Sequence, residues 1–257
     1  MYKSKNYQVR VIENVYKEID SLSDAYPESR KVFLADGDAL SLETPYLLDL
    51  LTYLKKSFPK LGRVSLYASA QNILNKSSEE LEELQAQGLN LIYYGVESGS
   101  DRVLKKITKG VTQSEIIESL NKASSAGMKI SATMILGLGG MTYTEEHIQE
   151  SAKIINETTV NYLSTLQLGL DEDVKEKFYK SFSDFTMLDD YEVLDEQKQF
   201  LELLNPKNKI IFRSNHASNA LHLAGTLPRD KGRLVQEVQN ALDIGANAFV
   251  PKAFRGF

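Results

Sequence analysis

The chain has no cysteine and only three histidines. Without thiols it can form neither disulfides nor thiolate metal sites, and it carries none of the ligands of a conventional iron–sulfur cluster. The histidines offer no substitute. His216 and His222 are six residues apart, a spacing that does not bring them to one helical face, and no metal ligands are assigned to them or to His147. Long apolar runs are also missing: nothing approaches the roughly 18 residues of a membrane helix. The opening MYKSKNYQVR lacks the apolar core of a signal peptide, so a cytoplasmic protein is expected. Nor is there an excess of positive charge. A formal charge of −5 at pH 7 gives no field for a nucleic-acid backbone, and neither membrane association nor non-specific nucleic-acid binding is expected.

What the sequence does contain is a regular alternation. Val9, Ile12, Val15, Tyr16, Ile19 and Leu22 recur at spacings of three and four, the pattern of an amphipathic helix. The short apolar run Val32 to Ala35 reads as a buried strand, and a helix follows from near Thr44-Pro45. The unit repeats with strand Val64 to Ala68, helix Ser77 to Gln87 ending at Gly88, and strand Leu91 to Val96. Helices at Asp101 to Lys106 and Thr112 to Ala126, strand Ile130 to Leu136, helix Thr144 to Glu157 and strand Tyr162 to Leu168 continue it. A charged stretch, residues 170–205, reads as two helices that interrupt the alternation as an insertion or lid. Strand Lys209 to Phe212 and a helix from Pro228 to Gly245 close the chain. The expected fold class is α/β, a partial (β/α) TIM-like barrel of parallel strands in one domain, residues 1–257, with a C-terminal helical extension.

In such folds ligands bind at the carboxyl ends of the strands. The loops there read Asp36-Gly37-Asp38, Ser69-Ala70-Gln71-Asn72, Glu97-Ser98-Gly99-Ser100 and Gly137-Leu138-Gly139-Gly140. Singly, each makes a turn or a helix cap. Together they put small, flexible and acidic residues on one rim, where carboxylates can bind ammonium or ribose groups and glycines admit an adenine or phosphate. A small-molecule site is expected, with Arg213, Asn215 and His216 after a later strand as substrate contacts.

The segment GVESGSDRVLKKITKG, residues 95–110, together with ILGLGG from Ile135, resembles radical S-adenosylmethionine (SAM) proteins related to the oxygen-independent coproporphyrinogen oxidase and methylthiotransferase groups. The resemblance spans most of the chain. It implies that Gly37 and Asp38 receive the SAM amino group, that Ser69 is a polar group near the ligand, and that Glu97 lies near the ribose or carboxylate. It implies further that Lys109 meets the carboxylate and that Gly137, Leu138 and Gly139 line the adenine side. The usual loop carries two adjacent glycines where this chain has Gly37-Asp38.

Relatives place CxxxCxxC on a loop after their first strand, where thiolates hold a four-iron four-sulfur cluster. Here both that motif and its strand are missing, since the alternation starts on a helix. Met1 is accordingly expected to be an internal methionine with the cysteines upstream, the cluster belonging only to a longer form. The expected function is thus a radical SAM iron–sulfur oxidoreductase or transferase, truncated and inactive as written, with its catalytic residues and substrate unassigned. The alternative is a cluster-free SAM- or nucleotide-binding barrel acting as a sensor or partner. An ordinary barrel lyase with a strand-end carboxylate as base is a third reading. An exposed sheet edge, left by the missing strand, is expected to favour a dimer.

Overall fold

The structure is a computed structural model that describes residues 8–35 and 37–256; Met1, expected to be an internal methionine, and Asp36 of the first strand-end loop lie outside the described residues. Seven strands follow one another in chain order in a mostly parallel sheet, so the α/β class read from the alternation is the class found. The chain divides into two compact units, Met1–Tyr94 with Lys122–Lys129, and Gly95–Asn121 with Ile130–Phe257.

The first unit contains α1 (Ile12–Ala25), β1 (Lys31–Leu34), α2 (Thr44–Ser57), β2 (Arg63–Ala68), α3 (Ala70–Asn75), α4 (Ser78–Ala86) and most of β3 (Leu89–Glu97). Proline in the first turn sets the start of α2, and Leu47, Leu50, Leu51 and Leu54 at helical spacing bury its inner face. Each contributes about 1.5–3 kcal/mol of transfer free energy. A capping box starts α4: the Glu80 amide donates to Ser77 Oγ at 3.1 Å and the Ser77 amide to Glu80 Oε2 at 2.7 Å. Val64, Leu66 and Ile92 bury the face of β2 and β3 opposite Ser65, Tyr67 and Tyr93. Among the described residues β1 pairs only with β2, and none of its four residues is buried. The apolar stripe of α1 is correspondingly open: Ile19 is its one buried residue, while Val9, Val11 and Leu22 are exposed. A cavity of about 330 Å³ lies among Val15, Ile19 and Leu22 of α1, Val32 and Leu34 of β1, and Leu54 of α2.

The second unit contains the end of β3, α5 (Asp101–Lys106), the start of α6 (Gln113–Ser125), β4 (Lys129–Leu136), α7 (Gly140–Glu157) and β5 (Tyr162–Gln167). It continues with α8 (Glu172–Ser181), α9 (Asp190–Leu203), β6 (Ile210–Ser214), β7 (Leu223–Leu227) and α10 (Lys231–Ile244). β4 and β5 pair in parallel from Ser131↔Tyr162 to Leu136↔Gln167, and β6 joins β5 in parallel. Two elements differ from the sequence reading. β7 returns antiparallel on β6, from Ile210↔Leu227 to Ser214↔Leu223, where LAGTL is too short and small to signal a strand. α3 is a six-residue helix capped by Ser69, whose only large apolar residues, Ile73 and Leu74, are adjacent and give no helical spacing. The stretch expected as two helices holds α8, with no buried residue, and α9, which buries Phe200 and Leu201 and starts on an Asp189/Glu192 capping box.

Buried polar groups knit the ends of β5 and β6 together. Asn219 Nδ2 donates to Ser214 Oγ at 2.7 Å and to the Thr165 carbonyl at 2.8 Å, and the Gln167 amide donates to Asn219 Oδ1 at 2.8 Å. Gln167 Nε2 donates to Asp190 at 2.9 Å, and Arg255 grips the same carboxylate with two bonds of 2.7 and 3.0 Å. The Arg255 guanidinium holds the Asp190 carboxyl below its usual range, against the opposing effect of burial. Removing one partner of a buried pair leaves the other charge uncompensated. Arg255→Ala should therefore cost about 3 kcal/mol and lower the melting temperature by roughly 6–12 °C. A shift under 2 °C in a thermal melt would assign this clamp no role in stability.

Candidate functional site

In the first unit the loop after β1 places Asp38 at the start of a single 3-10 turn, residues 39–41, where its carbonyl accepts from the Ser41 amide at 3.0 Å and the Ser41 hydroxyl at 2.6 Å. The Asp38 side chain points to α3, and its Oδ2 accepts a short bond from Asn72 Nδ2. Ser69, whose hydroxyl accepts from the Asn72 amide at 3.3 Å, belongs to the same cluster. Asp38 Oδ1 is buried and has no hydrogen-bond partner among the described residues. Burial raises the Asp38 carboxyl above its usual range, opposed by Ser69, Asn72 and the Leu40 backbone. An unsatisfied carboxylate oxygen of this kind is a ready acceptor for an ammonium or hydroxyl group. Asn72 is a partner that sequence reading had not singled out, although it lies in the quoted loop.

In the second unit Glu97 ends β3 with φ +62°, a conformation few residues other than glycine adopt and one that costs about 1–2 kcal/mol. Its Oε1 lies 3.2 Å from Lys109 Nζ, and both side chains are partly open to solvent. Gly95 makes room for the pair. A Cβ there would meet Glu97 Oε1 at 2.1 Å and Lys109 Nζ at 3.3 Å. The rest of the GVESGSD segment docks the loop on α7. Ser98 Oγ is 2.8 Å from His147 Nδ1, the Gly99 amide donates to Ser151 Oγ at 2.8 Å, and the Ser100 hydroxyl donates to Glu146 at 2.6 Å. A side chain at Gly99 would meet the Glu150 carbonyl at 2.2 Å. The run of small residues Ser98, Gly99 and Ser100 thus follows from close packing against one helix.

The β4–α7 loop is held in the same unit. The Gly137 amide donates to Glu196 Oε1 at 2.6 Å, and Thr144 donates a short bond to Glu196 Oε2. Leu138 is buried against Phe182 and Phe185. The space a Cβ would need at Gly139 is filled by the Tyr143 carbonyl. Glu196 was not singled out in the sequence, being one of many acidic residues in the charged stretch. Arg213 is exposed and turns onto the Phe212 carbonyl at 2.7 Å; Asn215 is exposed; His216 bonds Ser218 at 2.9 Å. These three do not bond one another among the described residues. Nor do three His, Asp or Glu side chains gather as metal ligands among the described residues.

His147 and Glu196 are both fully buried, 4.0 Å apart. Burial lowers the His147 pKa to about 4, partly offset by its bond to the Ile135 carbonyl, and raises the Glu196 pKa to about 7, opposed by its bonds from Thr144 and Gly137. Near pH 6 the two are neutral neighbours, not an ion pair. A carboxyl whose folded pKa is raised binds more protons folded than unfolded across the interval from 4.5 to about 7. Its stabilising effect is complete below pH 4.5 and lost as pH rises through 7. His147 has the opposite slope between about 4 and 6.5. Glu196→Gln should therefore gain stability relative to the parent between pH 5 and pH 8, by on the order of 2–3 kcal/mol. Urea midpoints at the two pH values check this, and a pH-independent difference would refute it.

Residues 2–155 match the family model described as the Radical SAM superfamily. The heme chaperone HemW of Bacillus subtilis is 27% identical over 126 residues, 49% of this chain and 33% of that protein. The tRNA-2-methylthio-N(6)-dimethylallyladenosine synthase of Ehrlichia chaffeensis is 25% identical over 156 residues, 58% of this chain and 34% of that protein. The chain thus spans about a third of the length of these relatives. Among solved structures, Elp3 of the archaeon Methanocaldococcus infernus shares the fold with TM-score 0.60 at 13% identity, over 88% of this chain and 58% of that one. The match to the family model covers more than half of the sequence, and the chain belongs to the radical SAM superfamily.

Proposed function

We propose that this chain binds S-adenosylmethionine and is the part of a radical SAM oxidoreductase or transferase that follows the cluster-binding loop. The observation that carries the reading is the Glu97–Lys109 pair: a carboxylate kept in a strained backbone conformation, beside an ammonium, with Gly95 clearing the space around both. Strain of this sort persists where a site uses it. The pair suits a ligand with a carboxylate for Lys109 and hydroxyls for Glu97, because charge-assisted bonds are the strong ones. Asp38, with its unpartnered oxygen, is proposed separately as the acceptor of an ammonium group. Ser69 supports it through Asn72. Gly137, Leu138 and Gly139 remain the proposed adenine contacts and Arg213, Asn215 and His216 the proposed substrate contacts.

The donor set fits SAM and does not fit an iron–sulfur cluster, since no cysteine occurs in the sequence. When bound, the cluster supplies the electron that cleaves SAM, and no side chain of this chain replaces it. The unburied strand β1, and the apolar cavity between α1 and β1, support a preceding strand and cysteine loop in a longer form. A second reading, a cluster-free SAM-binding partner or sensor, is favoured by the same absence of cysteine. In that form the open edge of β1 is the proposed surface for a dimer.

Isothermal titration with S-adenosylhomocysteine tests the binding claim. Glu97→Ala and Lys109→Ala should each weaken it about tenfold, the scale of a lost charge-assisted bond. Absence of heat with the parent chain, or variants that bind as the parent does, would sink the proposal. Nucleotide sequence upstream of Met1 separates the two readings: an in-frame CxxxCxxC supports the longer enzyme, and a stop codon close to Met1 supports the cluster-free protein.

A further inference from the structure

Within the first unit three aromatic side chains stand together on the uncovered face of the sheet. Register places Phe33 beside Ser65 and Tyr67 beside Tyr93, so the three lie on one face of β1, β2 and β3. On the opposite face Val64, Leu66 and Ile92 are buried. The three rings touch in mutually steep orientations: Phe33 to Tyr67 at 4.9 Å and 74°, Phe33 to Tyr93 at 5.4 Å and 68°, Tyr67 to Tyr93 at 6.2 Å and 67°. Even so, Phe33 is 37% and Tyr67 55% exposed. Beneath them Ser65 and Leu91 are buried, so the rings form the outermost layer of a filled sheet face.

This cluster has no structural explanation of the usual kind. Aromatic rings bury 150–250 Å² each where they serve a core, and an exposed group of them marks a place where something else lies. Neither tyrosine hydroxyl bonds another described residue, so the rings are not oriented by polar partners. The surrounding charges decide among occupants. Cation–π contacts among the described residues involve Arg102 and Lys106 with Tyr143 and Phe182, none with these three rings. The one basic residue lining the cavity next to Phe33, Arg10, is paired with Glu18 at 2.7 Å. Ring faces carry negative electrostatic potential, and the chain has a net charge of −5. Such a surface attracts a flat, neutral or cationic π-system and repels a polyanion.

We propose that Phe33, Tyr67 and Tyr93 form a stacking site for a planar heteroaromatic group, neutral or cationic, of the small-molecule substrate. That this ligand is a substrate rests on the SAM reading above; the site itself does not.

The test uses a matched set of probes on the chain as it stands: N-methylquinolinium, flat and cationic; protonated decahydroquinoline, cationic and saturated; and quinoline-2-carboxylate, flat and anionic. The flat cation should bind at least about fivefold more tightly than either of the others, by NMR titration. Tyr67→Leu should weaken it about tenfold and Tyr67→Phe should leave it within twofold, as expected for stacking on a ring face. Tyr67 is exposed, so neither variant removes core packing, and a thermal melt verifies this. Equal binding of the saturated cation, or parental affinity in Tyr67→Leu, overturns the proposal. So does a dimer by sedimentation that Tyr67→Leu converts to monomer, since the face would then belong to a second copy. S-adenosylhomocysteine titrated into the same samples reports on the cofactor reading independently. Unchanged binding in Tyr67→Leu supports separate sites. Loss in parallel with the quinolinium assigns the rings to the cofactor adenine and overturns the proposal. Quinolinium binding without any S-adenosylhomocysteine binding refutes the cofactor reading and leaves the stacking site standing.

Discussion

The second unit depends on one close approach, that of Gly99 to the backbone of α7. A single methyl group at Gly99 would fall 2.2 Å from the Glu150 carbonyl, so no other residue fits without parting loop and helix. That contact brings Ser98 to His147 and Ser100 to Glu146, and it fixes where the chain leaves β3. Glu97 immediately precedes this junction and Lys109 follows the short helix after it. The distance between the two is therefore set by packing several residues away, not by their own attraction, which is modest for half-open side chains.

The polar groups behind this loop are organised by desolvation. His147 and Glu196 lie within reach of each other, yet each is held neutral because taking a charge out of water costs more than the pair recovers. Their bonds go instead to groups of fixed geometry: a serine hydroxyl, a threonine hydroxyl, a glycine amide and the Ile135 carbonyl. The β3–α5 loop is thus braced through His147 and the β4–α7 loop through Glu196, two neighbouring sets of hydrogen bonds in which satisfied buried polar groups specify a single arrangement.

Much of this architecture was legible in the sequence. Proline near the start of α2, Gly88 after α4, and the apolar runs of β2 to β5 carry local signals that agree with the elements found. The strand β7 and the helix α3 did not show, because LAGTL separates its two leucines with small residues and AQNILN has only the adjacent Ile73 and Leu74 as large apolar residues, so neither carries a period. Of the candidate site, Asp38 and Glu97 stand out as acidic residues in strand-end loops, whereas Lys109 is named only through the family resemblance. Glu196 could have been found by its place three residues after Val193 and four before Phe200, on the apolar face of α9, but its partners on the β4–α7 loop could not. The aromatic face was missed for a related reason, since alternating aromatics read as core until their exposure is known.

The positive φ of Glu97 has a bearing on descent. Glycine or asparagine would hold that turn with less strain, by about 1 kcal/mol or more. Drift in a lineage released from ligand binding would favour such replacements, because most proteins sit only slightly above the stability they need. The carboxylate at that backbone position is therefore held at a cost in stability that the turn itself does not require.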